Sequence, residues 1–114
     1  VGLLLRALAL MEVLPMGAWQ HALGAGAIGT MILGVMARVA LGHTGRPMQL
    51  PGGMLLGFGL VLVAAVLRVL VACGVVDWRL GVLASGLAWS LAFMLFLWRY
   101  SAVLIRPRID GAAG

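Results

Sequence analysis

The sequence predicts an all-α fold: a polytopic transmembrane helix bundle with three full helices plus the end of a preceding one. Hydrophobic residues make up 64% of the 114 residues and charged residues only 10%, whereas a soluble domain has about a quarter charged residues. Residues 13–37, 47–67 and 80–98 contain no Asp, Glu, Lys or Arg. Each of these stretches has about the 20 residues that a helix needs to cross a bilayer. They are continuously apolar, which excludes the alternating pattern of a transmembrane β-barrel.

The first two segments are separated by a helix breaker. Residues 1–14 are apolar and are expected to be the end of a helix, which Pro15 and Gly17 interrupt. The second helix is predicted over residues 18–41, with Gly42 as its left-handed cap. Because the chain opens at Val1 inside an apolar segment, we expect it to be the C-terminal part of a longer protein.

The remaining segments complete one bundle without a second domain. A loop rich in Gly and Pro leads to a third helix over residues 54–76. A tight turn at residues 77–79 precedes the fourth helix, over residues 80–104. Residues 106–114 are predicted to form a polar, disordered tail.

The arginines predict the orientation of the bundle. We call the membrane surface where the second helix ends side A, and the opposite surface side B. Five of the eight arginines fall at side A: Arg38, Arg46, Arg99, Arg106 and Arg108. Positive charge favours the cytoplasmic surface, so side A and the C-terminal tail are expected there. No run of five or more basic residues occurs, so the net charge of +5 does not indicate nucleic-acid binding.

The second helix carries a pattern of small residues. Ala18, Ala22, Gly26, Thr30 and Gly34 recur every four residues and share one helix face. Small residues allow close packing of membrane helices, and such a face also suits a flat cofactor. The glycines in this stretch also match the GxGxxG dinucleotide motif. That motif requires a preceding strand and a later acidic residue, and the sequence has neither at the required place.

Two histidines are candidate metal or haem ligands, because neutral imidazole is a common ligand. His21 lies near the side-B start of the second helix and His43 just beyond its side-A end. The alternatives are an interfacial histidine at His21 and a hydrogen-bonded loop residue at His43. Along a continuous helix, 22 positions span about 33 Å. The two histidines are therefore expected at opposite surfaces, unable to ligate one metal.

Three arginines are candidate contacts for an anionic group of a cofactor. Arg46 has the bidentate geometry that suits a carboxylate. Arg6 and Arg68 are expected at a similar depth, on the order of 13 Å from side B. These two side chains either extend to the interface, or pair with an anionic group of a cofactor or with an Asp or Glu further upstream. Ser85 and Ser90 have no histidine nearby in sequence, so no catalytic residues are predicted.

Several segments resemble the NnrS family. The resemblance is carried by HALGAGAIGTMILGVMAR at residues 21–38 and LGHTGRP at residues 41–47. It is also carried by AWSLAF at residues 88–93, LWRY at residues 97–100 and RPR at residues 106–108.

This resemblance implies a bacterial inner-membrane protein that binds haem and copper and is associated with nitric oxide stress and denitrification. His21 and the turn from His43 to Arg46 fall on recurrent motifs of the family. The implied partners are the lipid bilayer and the N-terminal helices of the full-length protein. Two other functions stay open. One is a transporter or channel subunit in which Arg6 and Arg68 line an anion path, and the other is a purely structural helix bundle.

Overall fold

Four helices follow one another along residues 1–111, the part of the chain that the computed structural model describes. Their bounds are Gly2–Leu10 (α1), Met16–His43 (α2), Met54–Ala72 (α3) and Trp78–Ile105 (α4). Helices α2, α3 and α4 are long and apolar enough to cross a membrane. This confirms the predicted fold class, a helical membrane bundle with three full helices after a shorter one.

Helix α1 ends at Leu10, before the expected residue 14, because the backbone turns at Glu12. Glu12 has a φ of 60°, and its amide donates to the carbonyl of Ala9. The amide of Val13 donates to the carbonyl of Leu8 at 3.0 Å. This arrangement caps the last turn of the helix with a left-handed residue.

The cap of α2 is Gly45, so the prediction of Gly42 as the cap is wrong. Gly42 lies inside the helix, whereas Gly45 has a φ of 66°. The amide of Arg46 donates to the carbonyl of Leu41 at 3.0 Å, and the amide of Gly45 donates to that of Gly42. These two bonds form a Schellman motif, in which the left-handed residue comes two positions after the last helical one.

The turn between α3 and α4 also follows from capping residues. Gly74, with a φ of 72°, ends α3 at Ala72, before the expected residue 76. The amide of Val75 donates to the carbonyl of Leu70 at 3.0 Å, as in the first Schellman motif. Asp77 begins α4, because its carboxylate accepts a hydrogen bond from the amide of Leu80 at 3.1 Å.

Helix α2 changes its winding where it is richest in glycine. The segment Ala22–Ile28 is a π-helix, between α-helical turns at Met16–His21 and Gly29–His43. Most π-helical turns are single bulges, and they are frequent at functional sites. The π-helical segment starts directly after His21, so the wider turn lies beside a candidate ligand.

The helices pack closely through small residues, but not along the whole predicted stripe. An added Cβ at Gly26 would come within 3.1 Å of the Cβ of Ala65 on α3. Beyond the π-helix, the buried positions of α2 begin with Gly29, Leu33 and Ala37, whereas Thr30 is exposed. The contact face is thus one residue away from the predicted stripe after the π-helix.

The apolar core lies in the side-A half of the bundle. It is formed by Leu33, Ala37, Ala40, Leu41, Met54, Val61, Ala92, Phe96 and Tyr100. Phe96 and Tyr100 stack with ring centroids 4.6 Å apart. Large apolar side chains on the outer faces, including Met31, Leu55 and Leu87, are exposed, as expected of helices that contact lipid or further helices.

The segment after α4 returns to the bundle. The amide of Ile109 donates to the carbonyl of Thr44 at 3.3 Å, and Arg108 pairs with Asp110 at 2.6 Å. Residues 106–111 therefore lie against the turn that follows α2, in contrast to the disordered tail that we expected. Residues 112–114 of the predicted tail lie outside the described residues.

Candidate functional site

A polar cavity of about 440 Å³ lies where α2, α3 and α4 meet in the side-B half of the bundle. Its volume is within the range of small-molecule sites in proteins. Side chains with polar atoms converge on it from all three helices: His21 from α2, Arg68 from α3, and Ser85, Trp89 and Ser90 from α4. The cavity thus combines one of the two candidate ligands with one of the candidate cations.

Glycines keep the cavity open. Gly24 on the π-helix and Gly86 on α4 both line it, and a Cβ added at either position would meet no atom within 4 Å. Gly29, one turn further along α2, is different, because its added Cβ would lie 3.0 Å from Nε1 of Trp89. The bare backbone of Gly29 therefore allows the indole of Trp89 to approach α2.

Few of these polar groups are satisfied by the protein itself. The hydroxyl of Ser85 donates to the carbonyl of Val82 at 3.0 Å. Within residues 1–111, the side chains of His21, Arg68 and Ser90 have no hydrogen bond or ion pair. An arginine in a membrane helix normally pairs with an opposite charge or with backbone carbonyls. The cavity therefore has spare hydrogen-bonding capacity for a ligand.

The cavity could bind a ligand but does not contain a complete reaction centre. No hydrogen bond joins His21 to Ser85 or Ser90 within residues 1–111, so no activated nucleophile is formed there. Among the same residues, no three His, Cys, Asp or Glu side chains come together as metal ligands. The imidazole of His21 can serve as one metal ligand, and within residues 1–111 no second His, Cys, Asp or Glu lines this cavity.

The second candidate ligand lies at the opposite end of the same helix. His43 is the last residue of α2 and is exposed. It lines a more open cavity of about 450 Å³ together with Arg38, Met48 and Arg108. The two histidines lie toward opposite ends of α2, which spans Met16 to His43, and line different cavities, so they do not share a site.

Arg46, a candidate contact for an anionic group, binds the protein backbone. Its guanidinium donates to the carbonyl of Val103, in the last turn of α4, at 3.2 Å. Carbonyls in the last turn of a helix have no partner within the helix, and basic side chains stabilise them. Arg46 therefore joins the turn after α2 to the C-terminus of α4.

Arg6 and Arg68 do not face each other across one cavity. The guanidinium of Arg6 lies 5.2 Å from the ring centroid of Trp19, a typical cation–π distance. Arg68 lines the polar cavity, whereas Arg6 does not. Arg6 and Arg68, which we expected at one depth, therefore have different surroundings: Arg6 contacts Trp19, and Arg68 lines the cavity.

Comparison with known proteins identifies the family. The family model described as NnrS protein matches residues 1–108. The chain belongs to the NnrS family. The resemblance inferred from the motifs is thus confirmed, and no curated protein or solved structure matches the chain.

In this NnrS chain, two of the motifs meet at the polar cavity. The motif at residues 21–38 supplies His21, and the motif at residues 88–93 supplies Trp89 and Ser90. The two serines and His21 are far apart in the chain, so their meeting at one cavity does not follow from local sequence patterns. The signal that could have connected them is the placement of polar residues in apolar segments that reach the same membrane surface.

Proposed function

We propose that this chain is part of a haem- and copper-binding protein of the bacterial cytoplasmic membrane, which acts in the response to nitric oxide or in denitrification. Membership of the NnrS family supports the proposal. The observation on which it mainly rests is His21, an imidazole without a protein partner in residues 1–111 that lines an intramembrane cavity. A neutral imidazole in such a place can donate its nitrogen lone pair to a metal.

The surroundings of His21 suit a bound cofactor. Gly24 and Gly86 leave room beside the imidazole. The positive charge of Arg68 would favour an anionic group at the same place. His21 would hold a haem iron or copper, and when bound, the metal would supply redox or ligand-binding chemistry. Since residues 1–111 contain no cluster of further ligands, we infer that the N-terminal helices of the full-length protein complete the site.

His43 is the second proposed ligand, at a separate site. It is exposed at the end of α2, next to Arg38, Met48 and Arg108. A thioether and an imidazole together suit copper. Five arginines at this end indicate that side A, and with it the C-terminal tail, faces the cytoplasm.

The test is the absorbance spectrum and metal content of the purified full-length protein. We expect His21→Ala to lose or shift the haem bands or to lower the copper content. His43→Ala tests the second site in the same way, and Gln20→Ala, an exposed neighbour of His21, is the matched control. If both histidine variants keep the wild-type spectrum and metal content, these residues are not the ligands.

The same measurements separate this proposal from the alternatives. A transporter or channel subunit predicts a metal-free protein whose anion flux depends on Arg68. The separation of Arg6 from the polar cavity gives no support to one path lined by both arginines. A purely structural bundle predicts no effect of either histidine beyond folding.

A further inference from the structure

Arg68 is the strongest unexplained feature of the polar cavity. It lies four residues before the end of α3, about 6 Å from that end. An arginine so close to the surface usually extends to the aqueous interface. Side chains in a helix tilt toward its N-terminus, however, and α3 runs from side A to side B. The Cα–Cβ bond of Arg68 therefore points into the membrane, away from the nearer surface.

The residues that share the cavity with Arg68 agree with this direction. Ser85, Trp89 and Ser90 line the cavity, and they lie about 10–18 Å from the start of α4 at Trp78. They are therefore deeper in the membrane than the Cα of Arg68. Arg68 therefore lines a cavity that extends from its Cα toward the centre of the membrane.

Within residues 1–111, no acidic residue neutralises Arg68. The acidic residues of the chain are Glu12, Asp77 and Asp110, and the ion pair observed is that of Asp110 with Arg108. The carboxylate of Asp77 accepts a hydrogen bond from the amide of Leu80. A guanidinium inside a membrane is stabilised by a counter-charge, by backbone carbonyls or by water in a cavity, and residues 1–111 supply neither of the first two to Arg68.

The other polar groups in the cavity include a donor suited to an anion. The hydroxyl of Ser90 has no partner in residues 1–111 and can donate, whereas Nε1 of Trp89 lies against Gly29 of α2. The cavity is lined by no carboxylate. One cation, a free donor and no acid are a combination that attracts an anion and repels a cation.

We propose that this cavity is a binding site for a small carboxylate-type anion, held bidentately by Arg68, with Ser90 as a further donor. A planar carboxylate matches the fork of the guanidinium. The site goes beyond the metal proposed at His21, because its contacts come from α3 and α4. The carboxylate is that of a free anion or that of a bound cofactor, and the experiment distinguishes these two sources.

The experiment measures formate binding to the full-length protein in lipid nanodiscs by isothermal titration calorimetry at constant ionic strength. Each variant is titrated twice, as purified and after removal of haem and metal. We expect Arg68→Gln to weaken formate binding about tenfold or more, since a charge-assisted hydrogen bond contributes at least this factor. Arg6→Gln, the matched loss of charge beside Trp19, should leave the affinity unchanged.

A second pair of variants keeps the test valid if Arg68→Gln does not fold. Gly86→Leu should fill the cavity and abolish binding. Gly59→Leu is the control, because Gly59 is also a helical glycine with open space but does not line the cavity. Ser90→Ala should weaken binding about tenfold, as expected for a hydrogen bond to a charged group.

The two preparations identify the source of the carboxylate. Binding in both preparations indicates a free anion, and binding only after cofactor removal indicates that a cofactor carboxylate occupies the site. Absence of binding in both overturns the proposal, as does binding that survives Arg68→Gln and Gly86→Leu. The readout is formate affinity, so it stays interpretable even if the haem and copper proposal fails.

Discussion

The two ends of α2 have similar residues but different surroundings. At side B, His21 lies near Arg68, and neither side chain has a hydrogen bond or ion pair within residues 1–111. At side A, His43 lies near Arg46, whose guanidinium binds the carbonyl of Val103. The turn that follows His43 is further closed by the bond from Ile109 to Thr44.

This difference separates polar groups that stabilise the fold from polar groups that are available to a ligand. The side-A end uses its polar groups to hold the turn, the end of α4 and the tail together. The hydroxyl of Thr44, for example, donates to the carbonyl of Ala40 at 2.7 Å. The side-B end leaves charge and hydrogen-bonding capacity inside the membrane, where they are costly unless a ligand uses them. Substitutions that break these side-A contacts should therefore lower stability, whereas those in the cavity should mainly alter binding.

The largest effect on stability is expected from Gly45→Ala. Gly45 has a φ of 66°, and its added Cβ would lie 2.6 Å from the carboxylate of Asp110. A left-handed Ala costs about 1–2 kcal/mol, and displacement of Asp110 adds to this. We expect a loss of about 2 kcal/mol in the free energy of unfolding, measured by denaturant titration in detergent.

Gly52→Ala in the same loop is the control for Gly45→Ala. The backbone of Gly52 is not left-handed, and an added Cβ would meet no atom within 4 Å. If the two variants lose equal stability, the cap at Gly45 and its contact with the tail do not stabilise side A, and the contrast between the two ends is lost.

A smaller loss is expected from Arg46→Ala. This variant removes the hydrogen bond to Val103 and leaves a carbonyl in the last turn of α4 without its partner. Hydrogen bonds to charged groups contribute about 1.5–3 kcal/mol. Arg46 is half-buried, so solvent screening reduces the expected loss to about 1 kcal/mol. The measurement is the same denaturant titration, combined with limited proteolysis of the C-terminal tail.

Arg38→Ala is the matched control for Arg46→Ala. Arg38 is exposed at the same end of α2 and makes no hydrogen bond or ion pair within residues 1–111. Stability close to that of the wild type is expected. If instead Arg46→Ala proves neutral for stability but lowers cofactor content, the sequence-based role of Arg46 in holding an anionic group is supported over the capping role.

Most of the fold could be predicted from the sequence because it depends on local patterns. Charge-free apolar stretches located the three long helices, and the family motifs are continuous in sequence. The predicted positions of the helix ends were less accurate, since a Schellman cap can use any nearby glycine. Either Gly42 or Gly45 could be the left-handed residue of the cap, and the observed hydrogen bonds show that it is Gly45.

The polar cavity could be predicted only in part. His21 and Arg68 stood out because they are polar residues in apolar segments. Their meeting with Ser85 and Ser90 depends on how α2, α3 and α4 are rotated about their axes. The π-helix at Ala22–Ile28 contributes to this rotation, and a run of Gly and Ala does not distinguish a π-helix from an α-helix. The sequence has no histidine near Ser85 or Ser90, and it therefore does not reveal that both serines line one cavity with His21.

The substitution of Tyr100 has the smallest expected effect on stability. It tests whether the polar groups at side A are all used within the protein, as the comparison of the two ends of α2 implies. Tyr100 is fully buried in the side-A core and stacks on Phe96. Within residues 1–111, its hydroxyl is the one buried side-chain polar atom without a hydrogen-bond partner. An unsatisfied buried hydroxyl is destabilising, so its removal should not lower stability.

Tyr100→Phe should therefore unfold at the same denaturant concentration as the wild type or be stabilised by up to about 1 kcal/mol. Tyr100→Leu is the comparison that removes the ring, and it should lose stability because the stacking on Phe96 is lost. A clear loss in Tyr100→Phe would mean that the hydroxyl binds a group from another part of the full-length protein. Side A would then contain an unfilled polar position of its own, and the two ends of α2 would differ in degree and not in kind.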